Sequence, residues 1–265
     1  MTTRWGLMFR AATVVAVVSV LASAQAYAQA GSAAPKSADI PRLANGKPDF
    51  SGIWDRPRVT DITRDSNVCG SGAPVTGCTQ KGSGPLSYTP EGDKLAKGER
   101  FDYAARCLPW GYTRAMQTAY PVEFVHTPKR FAILFESNNV FHVVPTDGRT
   151  HPKDLEPSWM GNSVGRWEND TLIIDTIGFN GKSWIDTAEH LSSDALHVTE
   201  RIRYIDANHL EYEVTWDDSK IYAKPFKNTR VFVRMRPGDE LMEWWCMENN
   251  KDLLEGHLTD KHVNP

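Results

Sequence analysis

The chain has 265 residues, 40% hydrophobic and 24% charged, with a formal net charge of −3. That composition fits a globular protein of one or two domains and excludes a disordered or fibrous chain. The slightly acidic balance leaves no basic face suited to nucleic acid.

Arg4 and Arg10 precede an apolar run from Ala11 to about Ala24, and Ala26-Tyr27-Ala28 follows. A charged start, an apolar middle and a small-x-small end predict a secretory signal peptide over residues 1–28, cleaved after about Ala28. The run is shorter than the ~20 residues a membrane span needs, and no cysteine follows it to take a lipid. The expected product is periplasmic or secreted, with no membrane span after cleavage. Losing the two arginines takes its formal charge from −3 to −5. Residues 29–47 are small and polar and read as a disordered leader. Residues 48–121 read as an N-terminal arm and residues 122–265 as a β-barrel domain.

Export gives the four cysteines meaning, and four cysteines allow three connectivities. Cys69 and Cys78 share a Gly/Ser/Pro-rich loop, so Cys69–Cys78 with Cys107–Cys246 is the favoured pairing. Loop entropy gives the first bridge roughly 2.7 kcal/mol and the second about 5 kcal/mol, before strain. The second would tie the arm to the last strand. No CxxC spacing supports a cysteine metal site.

In chain order, Gly52-x-Trp54 opens the folded part. Thr89-Pro90-Glu91 reads as an N-cap, a proline at N1 and an acidic first turn, starting a helix to about Tyr103. From Val122 onward the chain reads as strand after strand. Val122–His126, Arg130–Glu136 and Val140–Pro145 form a meander, and Gly161–Trp167 with Thr171–Phe179 a hairpin. The most regular stretch is Leu196–Ile205 followed by His209–Asp217, both alternating with period two. Closing them over Asp206-Ala207-Asn208, with Asn208 left-handed, sets Arg203 against Glu211, Arg201 against Glu213 and His197 against Asp217. Phe226–Arg236 and Leu241–Met247 would close the set. Sequential antiparallel strands with short turns predict an all-β fold, an antiparallel up-and-down β-barrel, since closure removes the sheet edges. The arm, with one short helix, would wrap outside it, and Trp110, Trp244 and Trp245 would pack at the crossing.

Cys107-Leu-Pro-x-Gly, Trp159-Met-Gly-x-Ser-x-Gly-x-Trp167, Asp170-Thr-Leu-x-x-Asp175, Ser193-Asp-Ala-Leu-His-Val-Thr-Glu-Arg201 and Cys246-x-Glu-Asn-Asn together resemble an uncharacterised family of exported bacterial proteins. The resemblance covers most of the mature chain and implies no reaction or cofactor. Gly52-x-Trp54 resembles the opening strand of lipocalin-like barrels, which implies an internal cavity and a late-strand arginine, Arg230 or Arg234, against Trp54.

Glu200 is the odd residue, a carboxylate on the apolar face with Leu196, Val198, Ile202 and Tyr204. Facing inward, it would be desolvated and its pKa would rise, which suits a general acid or base. The competing reading is an internal ion pair with Arg166 or Arg230. His151 and Arg149 share a turn-rich loop that reads either as a cavity rim or as a solvated loop with a local Asp147–Arg149 pair. His197 opposite Asp217 reads as a surface pair, or as the acid–base dyad if inside and outside are reversed. Trp184, Asp186, His190 and Asp194 lie in a loop near a barrel end, where the aspartates are catalytic candidates or turn and capping residues. His190-x-x-x-Asp194-x-x-His197 lacks a helix and a fourth ligand, so no metal is expected. His126, beside Phe124 and Phe131, reads as a core histidine.

Trp159, Trp167, Trp184, Tyr212 and Trp216 are the candidate ligand-binding aromatics, or simply core. No Gly-rich phosphate loop, nucleophile elbow or His-Glu-x-x-His motif is read, so no cofactor is expected and nucleotide, serine-hydrolase and zinc-protease chemistry find little support. The sequence therefore predicts an exported barrel that binds a small apolar or aromatic molecule. Glu200 would allow cofactor-free lyase, hydratase or isomerase chemistry, with His151 or Arg149 stabilising an anion. The alternative is a non-catalytic carrier of the cell envelope.

Overall fold

The alternation across residues 196–217 folds into the hairpin it implies, at the register the charges dictate. The computed structural model describes residues 40–68, 80–98, 101–248 and 250–257. The signal peptide, residues 29–39 of the leader, and Cys69 and Cys78 lie outside these; the rest of the leader is ordered, with Arg42 bridging to Pro48 and pairing with Asp170. The strands are β1 (Gly52–Asp55), β2 (Val122–Thr127), β3 (Arg130–Phe135), β4 (Phe141–Pro145), β5 (Asn162–Glu168), β6 (Thr171–Ile177), β7 (His197–Asp206), β8 (His209–Asp217) and β9 (Phe226–Arg234). Among the described residues the helices are short: α1 (Pro90–Lys97), α2 (Tyr112–Met116) and α3 (Lys251–Leu254).

One nine-stranded sheet curls into a nearly closed barrel, in the order β4-β3-β2-β1-β9-β8-β7-β6-β5, with antiparallel neighbours throughout. Nine is odd, so a ring of alternating strands cannot close on antiparallel pairs alone. The terminal strands β4 and β5 therefore run the same way, and a seam without a ladder separates them. The seam is bridged by side chains: His142 Nε2 lies 2.6 Å from Ser163 Oγ. Gly165 keeps the approach close, because a Cβ there would stand 2.8 Å from Thr146 Cγ2.

In the central hairpin Arg203 pairs with Glu211, Arg201 with Glu213 and His197 with Asp217 across the ladder. The turn differs from expectation. Asp206 pairs with His209, leaving a two-residue connection, and Asn208 has no positive φ. The Asp206 carboxylate makes this turn itself, accepting from Asn208 N at 2.8 Å and lying 2.8 Å from His209 Nδ1.

Leu241–Met247 is not a strand. The place beside β9 belongs to β1, from the segment read as the arm. Within it Gly52 has φ +129, and a Cβ would come 2.6 Å from Arg234 Nη1. The absent side chain lets the Arg234 guanidinium lie 4.3 Å from the centroid of the fully buried Trp54 ring. Of the two arginines expected there, Arg234 is the partner.

The arm does more than wrap the outside. Helix α1 starts as expected, with Thr89 Oγ1 accepting from Gly92 N at 2.9 Å, and ends early, at Gly98. Helix α2 was not expected. All five of its residues are buried, and it plugs one end of the barrel. Arg56 anchors it, donating to Ala115 O at 2.6 Å, Tyr120 O at 2.6 Å and Thr118 Oγ1 at 2.9 Å. A guanidinium spent on the carbonyls of a helix C-terminus complements the dipole there. Together with the inward rows of the strands, α2 fills the barrel with one contiguous core.

Candidate functional site

Glu200 faces inward from β7 and is wholly shut off from solvent. Among the described residues no cation pairs with it. Tyr112, on the plug helix, donates to Oε2 at 2.7 Å, and Tyr212, on β8, donates to Oε1 at 2.6 Å. Burial pushes the Glu200 carboxyl up to about 7, although both tyrosine hydrogen bonds pull the other way. Burial, reinforced by the neighbouring carboxylate, raises both phenols well above their usual range. The arginines expected as ion-pair partners are engaged elsewhere. Arg166 donates to Glu168 at 2.8 Å, and Arg230 to the carbonyls of Arg64 and Asp61 at 3.1 and 3.0 Å. A carboxyl titrating near neutrality between two phenols is equipped to move a proton.

The polar cluster extends toward the seam. The Tyr112 ring lies 4.3 Å from that of His142, centroid to centroid. His142 meets Ser163, whose Oγ lies 2.6 Å from Thr176 Oγ1. Burial pushes His142 down to about 4. Sequence reasoning missed Tyr112, His142 and Ser163. Tyr112 directly follows the Cys107-Leu-Pro-x-Gly motif, and Gly161-Asn-Ser-Val-Gly165 spells the spacing of a nucleophile elbow. That spelling misleads here: Ser163 lies within strand β5, with no turn into a helix, and among the described residues no carboxylate stands behind its histidine. The pair serves the seam.

The other catalytic candidates are not brought to Glu200. His151 and His197 both bind Asp175, an outward residue of β6. The Nε2 of His151 is 2.8 Å from Oδ1, and that of His197 is 2.7 Å from Oδ2, while His151 Nδ1 lies 2.8 Å from Asn162 Oδ1. The His197 ring thus turns from its ladder neighbour Asp217 to the adjacent strand. Partial burial works to raise the Asp175 carboxyl, but the hydrogen bonds from the two histidines prevail and hold it below the usual carboxylate range. Arg149 closes on its neighbour Asp147 at 2.6 Å, in solvent. Asp194 is exposed and pairs with Lys220 at 2.5 Å.

Asp186 is fully buried and staples its loop. It accepts from Ile62 N at 2.8 Å, Ala188 N at 3.0 Å and His190 N at 3.2 Å, with His190 Nδ1 2.8 Å away. Asp61, Asp186 and His190 offer ligand atoms within 4.8 Å of one another. The Asp186 lone pairs are already taken, and Arg230, pushed down to about 10 by burial against the pull of Asp61 and Asp186, supplies positive charge. His190, Asp194 and His197 go to three different partners, which removes the metal spacing considered from sequence.

The candidate aromatics pack against other side chains. Trp216 and Tyr212 are core. Trp167 stacks 5.9 Å from Phe50 and 5.7 Å from His126. Burial pushes His126 down to about 4, as befits a core histidine. Trp159 lies against Tyr103 at 5.8 Å, and Trp184 joins Tyr103 and Trp110 around the Arg114 guanidinium at 5.1–5.4 Å.

Open space lies instead at the plugged end. A cavity of about 240 Å³ sits between the start of α2, the β3–β4 turn and the C-terminal segment, walled by Leu108, Trp110, Val140, Met160 and Trp245. Cys107 and Cys246, joined by a disulfide as expected, form part of the same wall. Two wall residues carry buried polar atoms that have no hydrogen-bond partner among the described residues, Trp110 Nε1 and Ser137 Oγ. A wider cleft of about 570 Å³ beside β1 is bordered by charges of both signs, including Asp55, Arg58, Glu136 and Arg236. Among the described residues, no helix is long and apolar enough to cross a membrane. No protein-family model matches this chain, and no curated protein is significantly similar to it.

Proposed function

We propose that this protein is an exported binding protein of the carrier type, which holds a small apolar or aromatic molecule in the mouth cavity rather than in the barrel centre. The cavity itself carries the reading: about 240 Å³ of space under an almost wholly apolar wall that includes two tryptophans. An apolar cavity of about 150 Å³ already takes up benzene, so one or two rings fit here. A ligand polar group would give Trp110 Nε1 and Ser137 Oγ the partners they lack. Export is supported by the N-terminal sequence and by a disulfide, which persists in oxidising compartments. Membership of the exported bacterial family belongs to the same proposal. Its motifs fall on the bridge (Cys107, Cys246), the Asp175 clasp and the inward Glu200.

One observation favours a second reading, cofactor-free lyase, hydratase or isomerase chemistry. The loop and helix that wall the cavity with Gly111 and Ala115 carry, between them, the Tyr112 that donates to Glu200. A shift of α2 would join the two sites. The test is a fluorescence titration of the oxidised protein with N-phenyl-1-naphthylamine, a neutral aromatic probe. Saturable uptake at one site, with tryptophan quenching, supports the carrier reading, and no saturable uptake contradicts it.

A further inference from the structure

The barrel and the mouth cavity are held together in different ways. Among the described residues every strand ladder lies between Gly52 and Arg234. The cavity's outer wall comes from Trp245, Cys246 and Met247, part of a strap, residues 242–248, that lies outside the sheet. Among the described residues the strap meets the barrel through a handful of contacts. Met242 N donates to Glu136 Oε2 at 3.0 Å, Asn139 Nδ2 to Trp244 O at 3.2 Å, and the Trp244 ring lies over Trp110 and Tyr120 at 5.5 and 5.8 Å. Its other large apolar side chains stay partly in solvent: Met242 is 68% exposed, Trp245 48% and Met247 49%. What fixes the strap to the arm is the Cys107–Cys246 bridge, with Asn250 Nδ2 donating to Ala105 O at 3.3 Å beside it. Both cysteines are partly exposed, and Cys107 is held at φ 56, in the left-handed region that few side chains favour.

We propose that Cys107–Cys246 is a reducible latch on the mouth cavity, so that a thiol reductant opens the ligand site while leaving the barrel folded. This rests on the carrier reading above. The chemistry is thiol–disulfide exchange. A dithiol gives two electrons and two protons and closes its own S–S bond. The Cys107–Cys246 S–S bond breaks, and each sulfur leaves as a thiol. The strap then loses its covalent tie, Cys107 can leave its left-handed conformation, and the wall formed by Trp245 and Cys246 swings off the cavity. Opening breaks no strand pairing.

The experiment uses the full mature chain, N-phenyl-1-naphthylamine as probe and dithiothreitol as reductant. Amide hydrogen exchange is followed in parallel. A C107S/C246S double variant separates this bridge from Cys69 and Cys78. The latch predicts probe affinity weakened by about tenfold or more in the reduced wild type and in the double variant, with the variant indifferent to dithiothreitol. Faster exchange is predicted to stay within residues 104–111 and 242–248. Binding by the variant within about twofold of the oxidised wild type overturns the latch. So does accelerated exchange across all nine strands on reduction, which would make the bridge a staple of the whole fold. If the oxidised wild type takes up no probe, the carrier reading falls, and exchange confined to the strap or spread through the barrel decides the latch by itself.

Discussion

Tyr112 and Glu200 are 88 positions apart in the chain and 2.7 Å apart in the barrel. That hydrogen bond joins the plug helix to the middle of β7 and fixes how far α2 enters. The protonation of one buried carboxyl therefore bears on the stability of the whole assembly.

Glu200 makes stability depend on pH in an unusual direction. Its folded pKa, about 7, lies above the ordinary 4.5, so the folded state holds a proton that the unfolded chain has released between those values. The group's contribution is full below about 4.5, is lost as pH rises toward 7, and levels off beyond. The integrated loss is roughly 3 kcal/mol. Glu200→Gln retains a donor and an acceptor for the two phenols and removes the titration. Urea denaturation from pH 4.5 to 8 should show the variant matching wild type at the acid end and gaining stability over it toward pH 8. A constant difference across the range would refute the assignment.

His142 runs the other way. Its folded pKa, about 4, lies below the ordinary 6.5, so its contribution is present above 6.5 and is lost as pH falls toward 4. His142→Gln should flatten the acid limb of the stability curve while costing about 1 kcal/mol at pH 8 through the weakened contact with Ser163. An unchanged acid limb would place the acid sensitivity elsewhere.

Tyr112→Phe removes one of the two donors that counter burial at Glu200. The carboxyl should move above about 7, and stability at pH 8 should drop by about 1–3 kcal/mol, because a buried acceptor is left with one partner. The titration of Glu200, followed by NMR of its labelled side chain, checks the direction. A downward move contradicts it.

Asp175→Asn tests the outer clasp. Asp175 and His197 are more than a third exposed, so solvent screens that pair, while the better buried His151 adds to it; the expected loss is about 1 kcal/mol. Probe binding at the mouth should not change. A large loss of binding would reinstate His151 and His197 as site residues.

Strand alternation made most of the barrel legible, because a half-buried strand writes its inner face into every second residue. Glu200 stood out for the same reason, as a charge on an apolar row. The plug helix was not legible: Tyr112–Met116 is too short to show a helical period, and its burial comes from Arg56, 56 positions upstream of Tyr112 in neither strand nor motif. Four residues show too little alternation to set β1 apart from the arm, and only the resemblance of Gly52-x-Trp54 to an opening barrel strand points to it. The Leu241–Met247 run looked like a strand, yet β1 already occupied the edge of β9, and the strap's apolar residues went to the mouth instead. His151 and His197 were recognised as chemistry-bearing, but alternation along one hairpin could not reveal that Asp175, from a third strand, would hold both.

The most direct test sets two substitutions side by side in the N-phenyl-1-naphthylamine titration. Val140→Trp fills the mouth cavity, and Glu200→Gln alters only the sealed centre. The first should abolish saturable uptake, and the second should leave the affinity unchanged. Uptake that survives Val140→Trp and disappears in Glu200→Gln would put the ligand in the barrel's interior and contradict the mouth site.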